Sequence, residues 1–161
     1  MTKVIRQSVT FRARPEELFR LYADSRRHSA ATGGRASVGR RPGARFTAFG
    51  GMLRGRMLAV VPRRMIVQTW RSAGWKKSDL DSILILVFSK ARRGGRVELV
   101  HVNVPAHDQA GVRRGWRTYY WRPWRAYLTR ARLAARRKKA YVSASSSPRR
   151  LTWRRSSSAE T

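Results

Sequence analysis

Apolar and polar positions alternate from Val4 to Phe11, the period of a half-buried strand. The period then lengthens. Leu18, Phe19, Leu21 and Tyr22 make the buried face of a helix opened by Pro15, whose missing N–H does no harm in a first turn. Glu16 and Glu17 in that turn favour the helix dipole. Asp24 and Ser25 can cap a second short helix reaching Ala31, which Gly33 and Gly34 end. A series of strand patterns follows: Ala36–Gly39, Arg45–Phe49, Met52–Val61, Met65–Arg71, Ser82–Ser89 and Arg96–Val104. Turn signals lie between them at Pro42-Gly43, Gly50-Gly51, Pro62 and Gly94-Gly95, and residues 72–81, holding Trp75, read as a loop.

The longest pattern comes last. Val112, Trp116, Tyr119, Tyr120, Trp124, Tyr127 and Leu128 recur at three- and four-residue steps, one face of an α-helix. Arg114, Arg117, Arg125 and Arg132 fall on the other face. The spacing predicts a helix from about Asp108, which can cap it, to about Lys139, kinked at Pro123. A helix with so many rings on one face needs a concave partner. The order β-α-α-β6-α supplies one, a curved antiparallel sheet of about seven strands around a long C-terminal helix. The fold class is therefore α+β, with the two short helices closing one end and a natural cavity between sheet and helix.

Composition changes this picture in two ways. The 161 residues suit one domain over residues 1–139, with a Ser- and Arg-rich tail over 140–161 expected to be disordered, Trp153 being its one large anchor. Charge is the second. There are 37 Lys and Arg against 8 Asp and Glu, a net charge of +29, most of it before the tail. Such a field attracts polyanions without specifying one. The basic run Arg136, Arg137, Lys138 and Lys139 extends the stripe of Arg114, Arg117, Arg125 and Arg132, a candidate contact for phosphates or simply a solvated face. No zinc-finger, helix-turn-helix or ribonucleoprotein signature accompanies it. The chain has no cysteine, which excludes disulfides, thiolate nucleophiles and cysteine metal sites. No apolar run approaches the ~18 residues of a membrane span, and residues 1–11 lack a signal-peptide core, so a cytoplasmic protein is expected.

Several motifs, taken in order, carry a resemblance. Arg14-Pro-Glu-Glu-Leu-Phe19 follows the first strand, and Phe46-Thr-Ala-Phe-Gly-Gly51 ends a strand in glycines. Gly55-Arg56, Val61-Pro62 and Ile66-Val-Gln-Thr-Trp-Arg71 form a central hairpin, with Trp75 just beyond. His101 to Pro105, Gly115-Trp116 and Tyr120-Trp121 lead from the last strand into the long helix. Over residues 3–130 this resembles the activator of heat-shock protein 90 ATPase (Aha-type) C-terminal-domain family of the START-like, or SRPBCC, superfamily. The resemblance implies the helix-grip fold and, as a partner, a chaperone of the heat-shock protein 90 class. The chain departs from the family pattern in its basic loop positions Lys76, Lys77, Arg92, Arg93, Arg113 and Arg114, and in its tail.

The supply of catalytic residues is thin. His101 shares the parity of Val97 and Leu99, which the resemblance turns toward the cavity. There it is a ligand contact or weak base, or else a hydrogen-bonded core histidine. Glu98 has the opposite parity. No acid–base pair, metal site or cofactor site is apparent. The aromatic set is richer. Phe46, Phe49, Trp70, Trp75, Trp116, Tyr120 and Trp124, with His101, are candidates to line a cavity for a small apolar or amphipathic ligand, with Tyr hydroxyl and Trp N–H groups to orient it. The alternative is that the rings fill the core. The leading expectation is a non-catalytic binding domain. A cyclase- or hydrolase-type enzyme in which His101 and Tyr120 orient a polyketide-like substrate is the second reading, and an auxiliary nucleic-acid binder the third. The strand Ile83–Phe88 is apolar on both faces, which leaves monomer and homodimer both open.

Overall fold

The computed structural model describes residues 2–145. Two compact units emerge, Met1–Thr129 and Arg130–Thr161. The first contains the strands β1 (Thr2–Phe11), β2 (Ser37–Val38), β3 (Arg45–Ala48), β4 (Leu53–Val61), β5 (Met65–Ser72), β6 (Ser82–Ala91) and β7 (Gly94–Pro105). Helices α1 (Pro15–Ala23) and α2 (Ser25–Thr32) lie between β1 and β2. After β7 come α3 (Gln109–Gly115), a π-helical segment Trp116–Trp121, and α4 (Arg122–Ser145). The seven strands form one antiparallel sheet in the order β1-β7-β6-β5-β4-β3-β2, and the expected α+β helix-grip architecture is present. In the second unit the helical residues 130–145 are all exposed. They include the first six residues of the expected tail. Residues 146–161, with Trp153, lie outside the described part.

Local chemistry explains the element ends. The Arg14 N–H donates to the Glu17 carboxylate at the start of α1. The Asp24 carboxylate accepts from the Arg27 N–H and caps α2, and Gly33 ends that helix in the left-handed conformation. The capping hydrogen bond also lowers the Asp24 pKa. Asp108 stands at the start of α3, yet its side chain makes no capping bond, contrary to expectation; Trp75 has claimed it.

One turn differs from its expected place. The β6–β7 hairpin turns at Arg92-Arg93, and Gly94 and Gly95 belong to β7. A Cβ on Gly94 would fall 2.1 Å from the Phe11 carbonyl oxygen, and one on Gly95 would fall 2.7 Å from that of Ala13. These glycines let the end of β1 lie directly on the hairpin.

The helix that closes the sheet also departs from simple periodicity. Pro123 has no N–H, and its ring crowds the carbonyl four residues earlier. The ladder widens just before it: the Arg122 N–H donates to the Arg117 carbonyl, five residues back. The extra residue rotates the helix face. Trp121, not expected inside, is buried, and Tyr119, expected inside, is 58 % exposed. Trp116, Tyr120, Trp121 and Trp124 pack against Phe11, Tyr22 and His101 beneath the inner face of the sheet. On the outer face, Ile83, Ile85 and Val87 are half-buried.

Candidate functional site

A cavity of about 430 Å³ opens where the 3₁₀ turn Phe49–Gly51 and the end of β5 approach α3. Phe49, Met52 and Leu53 line one side, Trp70 and Ser72 the floor, and Asp108, Val112, Trp116, Tyr119 and Tyr120 the helix side. Gly111 and Gly115 also line it, four residues apart on one helix face. Two adjacent positions without side chains leave a bare strip of helix, and the cavity occupies it. A Cβ on Gly111 would meet the Asp108 carboxylate at 2.4 Å, whereas one on Gly115 would have ordinary contacts only. The opposite wall depends on an uncommon backbone. Phe49 has φ 51°, followed by Gly50 at 66° and Gly51 at 94°. That conformation aims the Phe49 ring edge-on at Tyr119 and Tyr120.

Of the residues expected to line a cavity, the structure brings Phe49, Trp70, Trp116 and Tyr120 to this wall. Phe46, Trp75, His101 and Trp124 are buried beside or beneath it. Gly111, Gly115, Leu53, Met52 and Ser72 were not foreseen. The spacing of Gly111 and Gly115 inside a helical pattern was the one available signal.

The polar groups under the wall are committed to one another. The Trp116 indole N–H donates to His101 Nδ1 at 3.2 Å. Nδ1 therefore carries the lone pair, and the proton is on Nε2, 2.7 Å from Ser82 Oγ. The Ser82 hydroxyl in turn donates to the Trp70 carbonyl at 2.7 Å. This donor order holds His101 neutral with both ring nitrogens used, and burial pushes its pKa down to about 3. A second chain mirrors it. His28 Nδ1 donates to the Tyr22 carbonyl at 2.9 Å, and the Tyr120 hydroxyl donates to His28 Nε2 at 3.1 Å. Burial lowers the His28 pKa to about 4 and raises that of Tyr120. The Trp116 N–H and Tyr120 hydroxyl expected to orient a ligand are thus spent inside the core. The Trp70 indole N–H has no hydrogen-bond partner among the described residues.

The rim is polar. Trp75 Nε1 donates to Asp108 Oδ2 at 2.7 Å, and His107 pairs with Asp79 at 2.9 Å. Arg71 donates to the Asp79 carbonyl and to the Asp81 carboxylate. The Trp75–Asp108 and His107–Asp79 bonds tie the β5–β6 loop to the turn before α3, and Arg71 braces the loop from within.

The basic candidates lie elsewhere. Arg114, Arg117 and Arg125 are exposed in the first unit, and Arg132, Arg136, Arg137, Lys138 and Lys139 are exposed in the second. No helix among the described residues is long and apolar enough to cross a membrane.

Comparison with known proteins gives a consistent picture. The family model described as activator of Hsp90 ATPase homolog 1-like protein matches residues 12–129. The human activator of 90 kDa heat shock protein ATPase homolog 1 is 29 % identical over 113 residues, covering 69 % of this chain and 32 % of the human protein. The Dictyostelium discoideum activator of 90 kDa heat shock protein ATPase homolog is 23 % identical over 72 % of this chain and 30 % of its own length. The chain thus spans about a third of these curated relatives. Among solved structures, an HSP90 activator from Plasmodium falciparum superposes with a TM-score of 0.68 at 22 % identity, covering 80 % of this chain and 96 % of that one.

Proposed function

Because this chain belongs to the activator of Hsp90 ATPase homolog 1-like family, we propose that it is a non-catalytic helix-grip binding domain whose cavity takes a small apolar or amphipathic ligand. The cavity itself carries this reading. At about 430 Å³ it falls within the usual range for small-molecule sites, and its walls are chiefly aromatic and aliphatic. A flat aromatic ligand matches the strip between Phe49 and the bare helix face at Gly111 and Gly115. An oxygen acceptor on it would satisfy the Trp70 N–H if the neighbouring rings part. The Asp108 carboxylate, with Trp75 already on Oδ2, favours a ligand that presents a donor at the mouth. The geometry disfavours the enzyme reading. His101 and Tyr120, the residues it relied on, have their hydrogen-bonding atoms occupied within the core, and the Asp108 carboxylate in the cavity wall already accepts from the Trp75 N–H.

The test uses Gly115→Leu, which adds a side chain to the cavity wall at a position where a Cβ makes only ordinary contact with the Tyr119 ring, at 3.7 Å. Amide shifts of the wild-type chain with a panel of fused-ring aromatic compounds are expected at residues 49–53 and 108–120. They are expected to vanish in Gly115→Leu while its melting temperature holds. Shifts that persist in the filled variant, or none with any compound, would refute the reading.

Family membership supports a second reading, contact with a chaperone of the heat-shock protein 90 class. The curated relatives are named as activators of that chaperone's ATPase, and this chain matches about a third of each. Calorimetric titration of a heat-shock protein 90 with the full chain tests this. Binding that Gly115→Leu leaves unchanged supports a surface contact independent of the cavity.

A further inference from the structure

At another place in the first unit, Thr10, Phe11 and Arg12 of β1 and its exit, the β6–β7 turn, and the first turn of α4 border a second, open pocket of about 520 Å³. Its lining includes Arg12, Arg92, Arg93, Arg96 and Arg125, and no acidic residue. From this cup we infer that the protein binds a compact oligophosphate, an anion with two or more linked phosphoryl groups, at the tip of the β6–β7 hairpin.

Five exposed arginines from three separate segments line this pocket, and none has a carboxylate partner among the described residues. Arg14, Arg40 and Arg71 each reach an acidic side chain, whereas here five arginines border one concavity with no acidic residue in its lining. Holding like charges together costs free energy that a multivalent anion returns. The fold imposes the convergence. Gly94 and Gly95 let β1 lie on the start of β7, which brings Arg12 against the hairpin. The two-residue turn then projects Arg92 and Arg93, and Arg96 pairs in register with Thr10. The Arg125 guanidinium rests 4.9 Å above the Phe11 ring, which restricts it before any anion arrives. Planar guanidinium forks match phosphoryl oxygens bidentately. The volume of about 520 Å³ exceeds what one phosphate fills, which favours linked phosphoryl groups.

On a chain of net charge +29 the experiment must separate a site from diffuse attraction. Calorimetry of the full chain at ~150 mM salt, where distant charges are largely screened, would compare inorganic tripolyphosphate, inorganic phosphate and single-stranded DNA. The variant Arg92→Ser/Arg93→Ser/Arg125→Ser is set against a charge-matched control, Arg41→Ser/Arg54→Ser/Arg63→Ser. Tripolyphosphate is expected to bind more tightly than phosphate. The cup variant is expected to lose roughly tenfold or more in affinity, and the control less than about twofold. Equal losses in both variants, or no tripolyphosphate binding at this salt, would overturn the proposal. So would DNA binding more tightly than tripolyphosphate with equal sensitivity to both variants, which would assign the charge to nucleic acid. Amide shifts of the wild-type chain with tripolyphosphate give a readout that needs no variant. Shifts centred on residues 10–12, 91–96 and 125 support the cup, and shifts spread over the surface arginines refute it.

Discussion

Two buried neutral imidazoles give this protein a pH limit. His28 and His101 ordinarily titrate near 6.5 and are lowered on folding to about 4 and about 3, chiefly by burial. Between these values the unfolded chain binds protons that the folded chain refuses. Their contribution is therefore complete above about pH 6.5 and is lost progressively as the pH falls toward the folded values. Each histidine is expected to cost ~2 kcal/mol between about pH 7.5 and pH 5, a window in which ordinary carboxylates stay largely ionised. Urea unfolding at the two pH values measures the sum, and equal stability at both would show that the imidazoles are not held neutral. The shared parity of His101 with Val97 and Leu99 was legible, and the family resemblance turned it inward. Its partners were not legible, because Ser82 and Trp116 reach it from other elements. His28 gave still less sign of itself, since α2 is short and mostly polar and buries only His28 and Ala31.

Within the long helix, one residue of phase decides which rings are buried. A strict α-period makes Tyr119 part of the inner face and leaves Trp121 off it; the π-helical segment exchanges them. Trp121 gains a hydrogen bond to Gln7 at 2.6 Å and stacks on Trp116, while Tyr119 remains at the cavity rim. Trp121→Ala is expected to cost ~3–5 kcal/mol, the range for truncating a buried large ring. Tyr119→Ala is expected to cost under ~1 kcal/mol, as for most exposed sites. The reverse ranking in chemical denaturation would mean that the helix is α-helical through this stretch. Pro123 signalled an irregularity, but a proline is accommodated equally by a kink, so the rotated face could not be derived from its position. The hairpin turn was misplaced for a related reason: Gly94-Gly95 has the composition of a turn, but the need for it comes from β1, more than eighty residues earlier. Local pattern fixes an element's type, whereas contacts between elements adjust its phase and ends.

At the scale of the whole molecule the element order was readable because short connections between alternating strands allow few arrangements. The cavity was readable only in part, since a sequence names the rings but not the gap left by Gly111 and Gly115. Charge is the remaining property at this scale. With 37 basic residues against 8 acidic ones, most cations have no anion available to them. Several of the acidic groups are already engaged, Glu17 with Arg14, Asp24 with Arg40 and Asp81 with Arg71. Exposed pairs of this kind contribute ~0–1 kcal/mol each and weaken with salt. Net repulsion among the unmatched cations opposes the compact state, and it too weakens with salt. The imbalance makes repulsion the larger effect, so screening should stabilise the fold. Raising sodium chloride from 0.1 M to 1 M shortens the Debye length from ~10 Å to ~3 Å. The melting temperature is expected to rise across that range, by ~2–8 °C for each kcal/mol of repulsion relieved. Chloride is the suitable salt because sulfate and phosphate also strengthen apolar burial and would raise the melting temperature in any case. A fall with sodium chloride would mean that the few ion pairs outweigh the unmatched arginines.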